Sequence, residues 1–271
     1  MDTFDTKWSD LLREAVTQPG MILKAYSAFY GYSMDNQLLA LLQCQMRKLE
    51  PGPIATYPAW KAKGRQVRRG ERAIVLCMPL TGKRKADNEG EAELTFIRFT
   101  YKANWFVLSQ TEGEAVEIQT TPEWDRAQAL TALGIVEVPF ESMDGNCMGY
   151  ARKLEIAISP LNPMPHKTTF HEIGHCLLGH ASEGDMSDTE RTPKDLREVE
   201  AESVALLCCE SLGLPGSDFS RGYIQSWFKG DVIPEKSAQK IFHVADKILK
   251  AGQVKDTQSH PTSTETAAMQ D

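Results

Sequence analysis

Lys167-Thr168-Thr169-Phe170-His171-Glu172-Ile173-Gly174-His175-Cys176-Leu177-Leu178-Gly179 is the stretch whose reading decides the fold. It predicts a helix from about Lys167 to Gly179, a glycine being a common helix closer. Residues four apart share a helix face, so the imidazoles of His171 and His175 can point at one cation. Glu172 then reaches a water on that cation without ligating it. In this arrangement zinc acidifies the water and a carboxylate takes its proton. The pattern predicts a zinc hydrolase with Glu172 as base and one Zn2+ per chain, another divalent ion such as Mn2+ being the alternative.

A catalytic zinc needs a third protein ligand and one open position. His180 falls nine residues after His171, whereas the extended HExxHxxGxxH pattern needs a histidine ten residues on and glycine where Leu178 stands. His180 therefore reads as a cation at the helix C-terminus, favourable to the dipole. The other candidate is a second helix, Arg197-Glu198-Val199-Glu200-Ala201-Glu202-Ser203-Val204-Ala205. Glu198 and Glu202 share one face, with Ala201 and Ala205 small enough for close helix approach. Glu198 is assigned as third ligand and Glu202 as the acceptor orienting a ligating imidazole; the reverse order is the alternative. Glu200, on the other side, reads as a solvated face. Spacing does not choose an oxyanion donor among Tyr223, His180, His243 and His166. Ile158-Ser159-Pro160 suggests a strand edge along which a peptide could lie.

The other informative stretch runs from Tyr57 to Arg72. Between 61 and 72 it carries six cations (Lys61, Lys63, Arg65, Arg68, Arg69, Arg72) against one acid. A loop or turn of this kind leads into a strand and fans its charges from a small surface. Lys and Arg neutralise phosphates, and Tyr57 and Trp60 offer flat faces for unpaired bases. Tyr26, Phe29, Tyr30 and Tyr32 form a second aromatic cluster, read as core packing for Phe29 at least. Residues 1–115 carry 16 Lys/Arg against 13 Asp/Glu, and the remainder 14 against 24, so the basic half is the candidate for nucleic acid.

Between these landmarks, helices are expected from Trp8 to Val16, Asp35 to Leu49, Pro122 to Leu133, Asp195 to Leu212 and Ser237 to Leu249. Strands are expected at Arg72–Met78, Leu94–Lys102, Asn104–Leu108, Ile135–Val138 and Arg152–Ile158. A long charged loop is expected at Thr81–Glu93 and a linker at Ser109–Pro122. The fold class is α+β in two domains, residues 1–115 and 123–253, followed by a polar, disordered tail over 254–271.

With 41% hydrophobic and 25% charged residues, the composition is that of a soluble globular protein. No window reaches the about 18 consecutive apolar residues of a membrane span, so no membrane partner is expected. The acidic start lacks a secretory pattern, and six scattered cysteines without a C-x-x-C pair read as reduced thiols. The expected location is cytoplasmic.

With both halves read, the chain resembles the ArdC family of plasmid-borne antirestriction proteins, which join an N-terminal single-stranded-DNA-binding domain to a zincin-like metallopeptidase domain. In the first half the resemblance rests on Tyr32-Ser33-x-x-Asn36-x-Leu38-Leu39, Tyr57-x-x-Trp60-x-x-x-Gly64, Val67-x-x-Gly70-Glu71-x-Ala73 and Trp105-Phe106-x-x-Ser109-Gln110-Thr111. In the second it rests on Lys167-x-x-x-His171-Glu172-Ile173-Gly174-His175, Glu198-x-Glu200-Ala201-Glu202-x-Val204-Ala205 and Ser237-Ala238 through Asp246-Lys247-Ile248. It implies binding of single-stranded DNA, protection of incoming plasmid DNA from host restriction, and a gluzincin-type site using His171, His175 and a glutamate of the second helix. The protein substrate is left unspecified. Two other readings compete: a DNA-coating protein with a structural zinc, and a peptidase that cleaves a host regulator.

Overall fold

Leu11, Leu12, Ala15 and Val16 recur at helical spacing and form the buried stripe of the first helix, α1 (Trp8–Thr17). The computed structural model describes residues 6–84, 94–118, 120–181, 194–228 and 232–254. Pro19 and Gly20 turn the chain into α2 (Met21–Phe29), a helix the periodicity reading passed over as an aromatic cluster. Tyr26 and Phe29 are both buried in it. The next helix, α3 (Met34–Arg47), covers most of the expected 35–49 stretch.

The first sheet is ordered β1-β4-β3, from β1 (Ile54–Thr56), β3 (Ile74–Arg84) and β4 (Leu94–Val107). The two strands expected at 94–102 and 104–108 are one continuous strand, β4. The expected loop starts later than Thr81, because Thr81–Arg84 still pair with Leu94–Ile97; residues 85–93 lie outside the described residues. As an edge strand, β3 would show unpaired polar backbone. Two carboxamides of α3 occupy it instead. Asn36 accepts from Cys77 N at 2.8 Å and donates to Cys77 O at 2.9 Å. Gln43 does the same at Val75, with both bonds at 2.8 Å. Pro79, further along, has no N–H to leave bare.

The basic stretch is more regular than a loop. Residues Tyr57–Ala62 form α4, with Thr56 Oγ1 accepting from Ala59 N and Pro58 in the first turn. Arg65–Val67 form β2, antiparallel to β5 (Thr111–Gly113). The backbones touch at the end of this ribbon: a Cβ on Gly113, at φ +130°, would lie 2.3 Å from Gly64 O. The expected linker thus begins with ordered structure that belongs to the first half.

In the second half, α5 (Arg126–Leu133) precedes a small sheet ordered β6-β8-β7, from β6 (Val136–Glu137), β7 (Gly149–Arg152) and β8 (Glu155–Ile158). The single strand expected over 152–158 is a hairpin, because Lys153 adopts φ +53° and reverses the chain. Four helices follow: α6 (Pro165–Leu178), α7 (Lys194–Ser211), α8 (Ser217–Phe228) and α9 (Glu235–Gly252). The sequence reading missed α8. The expected tail, from 255 on, lies outside the described residues.

Helices of both halves contribute to one continuous apolar core. Lys7 gives α1 no side-chain cap, and Glu235 of α9 supplies it, accepting from Trp8 N at 2.9 Å and Ser9 N at 3.0 Å. Buried Arg221 of α8 pairs with Glu210 of α7 and donates to Ala15 O and Val16 O at the end of α1. Glu210 also accepts from Ile22 N at 3.2 Å. A charge pair of the second half thereby clamps the α1–α2 turn of the first.

Candidate metal centre

Pro165 opens α6 and Gly179, at φ +80°, closes it, so His171 and His175 stand one turn apart in a regular helix. Gly174 lets this helix lie close to α7, with Ala201 Cα 3.4 Å from where a glycine Cβ would be. That approach brings Glu198 over the two histidines. Its Oε2 lies 3.5 Å from His171 Nε2 and 3.6 Å from His175 Nε2, and the two nitrogens are 3.0 Å apart. Two imidazole nitrogens and a carboxylate oxygen facing one point are a donor set that fits a divalent cation.

The opposite nitrogens of both rings face buried carboxylates or their relay. His171 Nδ1 is 2.8 Å from Glu202 Oε2, off the ideal hydrogen-bond direction, while Lys167 Nζ holds the other oxygen at 2.7 Å. His175 Nδ1 is 3.1 Å from His180 Nδ1, and His180 Nε2 is 2.8 Å from Glu200 Oε2. A neutral His180 satisfies both contacts in one way: its Nε2–H donates to Glu200, and its Nδ1 accepts from His175 Nδ1–H. Both Nε2 lone pairs of the HExxH histidines are then free to face the cation site.

Two readings from sequence are corrected here. Glu200 is not a solvated face but is 3% exposed, because α9 packs over that side of α7 and its Ser237 bonds to the carboxylate. His180 is not a cation at the helix end, because its ring turns inward between His175 and Glu200, and burial lowers its pKa against the pull of Glu200. The same engagement removes it as an oxyanion donor.

The charges at the centre depend on one another. Burial alone would lower the His171 pKa, but the Glu198 and Glu202 carboxylates raise it to about 9. Glu202, against the upward push of burial, is held at about 2 by His171 and Lys167. Glu198 is held far below the usual carboxylate range, chiefly by the two histidines. Glu172 is pushed upward by burial, with the histidines opposing. Without a metal, a proton on His171 takes the place of the cation.

The centre forms the floor of an open cleft of about 400 Å³, lined among others by Gly149, Tyr150, Ala151, Glu172, Arg197 and Glu198. The strand edge expected at Ile158-Ser159-Pro160 does not serve it, because β8 is the middle strand of its sheet. The edge along the cleft is β7. Gly149 fits there because it has no side chain: a Cβ would meet Thr168 Cγ2 at 2.6 Å, Ala157 O at 3.1 Å and Glu172 Cγ at 3.3 Å.

In the basic half, the structure separates residues the sequence grouped together. Trp60 is 1% exposed and donates Nε1–H to Phe106 O at 2.8 Å, so it is chiefly a core residue, reaching the surface only at the wall of the cleft described next. Arg65 is spent on Thr111 Oγ1 at 2.8 Å and on the carbonyls of Thr111, Gly113 and Glu114. Arg68 binds Glu71 at 3.2 Å and the carbonyl of Ser109. Both hold the basic segment to residues 109–114. Tyr57, Lys61, Lys63, Arg69 and Arg72 remain exposed. Beside them opens a second cleft of about 570 Å³, lined in part by Lys24, Tyr30, Tyr32 and Lys63. The aromatic cluster near residue 30 hinted at it.

Residues 6–106 match the family model described as the N-terminal domain of anti-restriction factor ArdC. No curated protein sequence matches the chain. Among solved structures, the metal-free antirestriction ArdC protein from plasmid R388 aligns over 92% of this chain and 95% of its own, with 22% identity and a TM-score of 0.55. The Mn(II)-bound structure of that protein aligns over 90% of this chain and 97% of its own, at 20% identity and a TM-score of 0.52. At such identities the likeness speaks for the fold. No described helix is long and apolar enough to cross a membrane.

Proposed function

From the match of residues 6–106 to the N-terminal domain of ArdC, we propose that the chain is an ArdC-type protein with two linked activities serving antirestriction. A first domain, residues 1–115, binds single-stranded DNA; a second, residues 123–253, is a divalent-metal peptidase. One observation carries the enzymatic reading: His171, His175 and Glu198 converge at the floor of a cleft open to solvent, with Glu172 beside them. Structural metal sites are closed by four protein ligands, whereas catalytic sites keep a position open. Three donors below an open cleft favour the catalytic kind.

His171, His175 and Glu198 are the ligands in this reading, and two imidazoles with one carboxylate suit Zn2+; the manganese of the R388 protein makes Mn2+ the alternative. When bound, the cation supplies Lewis acidity toward water and the scissile carbonyl. The remaining steps belong to the chain. The edge of β7 pairs with the peptide backbone and lays it across the cleft. Glu172, with a pKa raised by burial, takes the proton of the attacking water and passes it to the departing amine. Glu202 and the His180–Glu200 pair hold the two imidazoles in register. Tyr223, whose pKa is raised by partial burial and by the nearby Glu198, Asp195 and Glu202, is the candidate donor for the developing oxyanion.

For DNA, Lys61, Lys63, Arg69 and Arg72 supply phosphate contacts, and Tyr57 with the Tyr30–Tyr32 cleft supplies faces for bases. The test is a metal and activity comparison on the purified full chain. About one equivalent of zinc is expected, lost in His171→Ala and His175→Ala and kept, without hydrolysis of a peptide mixture, in Glu172→Gln. If Glu172→Gln still protects DNA in cells, hydrolysis is not the protecting step and the DNA-coating reading replaces this one.

A further inference from the structure

Among the described residues lining the metal cleft, Arg197 is the one lysine or arginine. It precedes the proposed ligand Glu198 in the first part of α7 and is only partly exposed. Its Nε is buried without a hydrogen-bond partner, and no described carboxylate pairs with its guanidinium. Two carboxylates of the same helix are engaged elsewhere: Glu198 faces the two histidines, and Glu200 faces His180.

That placement is unfavourable for a merely structural arginine. A guanidinium that gives up part of its water without gaining an anion carries an uncompensated desolvation cost. A cation near the start of a helix also opposes the helix dipole. Among the described residues neither cost is relieved, which is what a group held open for an incoming anion would show. The cleft that it lines has room for such a group, since Ala151 and Ala181 among its lining residues are small.

We infer that Arg197 forms an anion-binding subsite of the cleft and selects substrates bearing a carboxylate close to the scissile carbonyl. A planar guanidinium grips a carboxylate through two parallel N–H···O bonds, a geometry that neutral or basic groups cannot match. The carboxylate comes either from an acidic side chain or from a free C-terminus; the chemistry at Arg197 is the same. This inference rests on the peptidase reading of the same cleft.

The test uses the Zn(II)-loaded full chain and three malonyl hydroxamates, whose shared hydroxamate binds the metal directly. One carries alanine amide and is neutral, one carries alanine with a free carboxylate, and one carries aspartate α-amide, whose only anion is the side chain. Calorimetry should show at least one acidic probe binding about 10-fold or more tighter than the neutral probe, as expected of a bidentate charged pair. Which of the two wins identifies the source of the carboxylate. Arg197→Gln should abolish the advantage and leave the neutral probe unchanged, and Arg197→Glu should turn it into a penalty. Equal affinity for all three probes, or an advantage that survives Arg197→Gln, overturns the anion subsite while the metal site stands. If the neutral hydroxamate does not bind at all, the metal-site reading fails first and this inference with it.

Discussion

His180 Nε2 lies 2.8 Å from Glu200 Oε2, and both side chains are almost wholly removed from solvent. The pair is the far end of a chain of contacts that passes through His180 Nδ1 to His175 Nδ1 at 3.1 Å and so to the cation site. Partners of this kind fix the tautomer and the ring plane of a ligating imidazole, and their loss commonly weakens metal affinity 10–100-fold. His180→Phe and Glu200→Gln should therefore bind Zn2+ about 10-fold or more weakly than the parent in chelator competition. Circular dichroism should still report the parent helix content. Unchanged affinity in both variants would show that His175 is oriented by packing alone.

The metal-free centre should respond to pH in two directions. His171, raised to about 9, stabilises the fold in full below its unfolded value near 6.5 and loses that contribution as pH rises through 9. Glu202, held at about 2, stabilises above its unfolded value near 4.5 and loses that contribution as pH falls toward 2. The metal-free chain should thus be most stable at about pH 5–6, with Tm falling by several degrees between about pH 6.5 and 9. A bound divalent cation replaces the His171 proton, so the alkaline fall should vanish in the loaded protein. Thermal scans of both forms across this range check it.

Gly149 packs against Thr168 and Glu172 with no space for a methyl group. Gly149→Ala should destabilise by about 1–3 kcal/mol, the usual effect of overfilling a packed contact. Because Glu172 Cγ is one of the atoms displaced, the proposed hydrolysis should fall beyond what the loss of folded protein explains. Denaturant titration and specific activity per folded molecule separate the two.

The Arg221–Glu210 pair is buried and holds the α1–α2 turn. Glu210→Gln should cost about 3–5 kcal/mol, since it leaves a buried guanidinium without its counter-charge. Replacing both partners, as in Arg221→Met with Glu210→Leu, should cost less than either single change in urea unfolding.

Trp60 and the exposed cations should behave oppositely in a DNA assay. Lys61, Lys63, Arg69 and Arg72 changed to Glu should abolish binding to an oligothymidine strand at low salt without lowering Tm. Trp60→Phe should lower Tm through the lost Phe106 bond and the cavity, with affinity per folded molecule little changed. The reverse pattern would return Trp60 to the DNA surface.

Local rules made much of this molecule readable from the chain. The heptapeptide-scale periodicity of α1, α3, α6, α7 and α9 survives into the structure, because an apolar stripe at helical spacing has one way to be buried. The face shared by His171 and His175 followed from helix geometry, and so did the pairing of Glu198 with Glu202. Where two neighbours compete for one role, periodicity gives no answer. Lys153 at positive φ made a hairpin of an expected strand, and α2 and α8 hid behind aromatic residues that fit core or surface equally well.

The chain alone determined which residue types lie on which helical face, since that depends on 3.6 residues per turn and nothing further away. Tertiary structure decided what each face meets. Glu200 became a buried acceptor because α9 covers it, Trp60 became core because β4 offers it a carbonyl, and His180 turned inward because α7 brings a carboxylate within reach. Desolvation and hydrogen bonding across elements act between residues far apart in sequence, and no local pattern encodes which of them will meet.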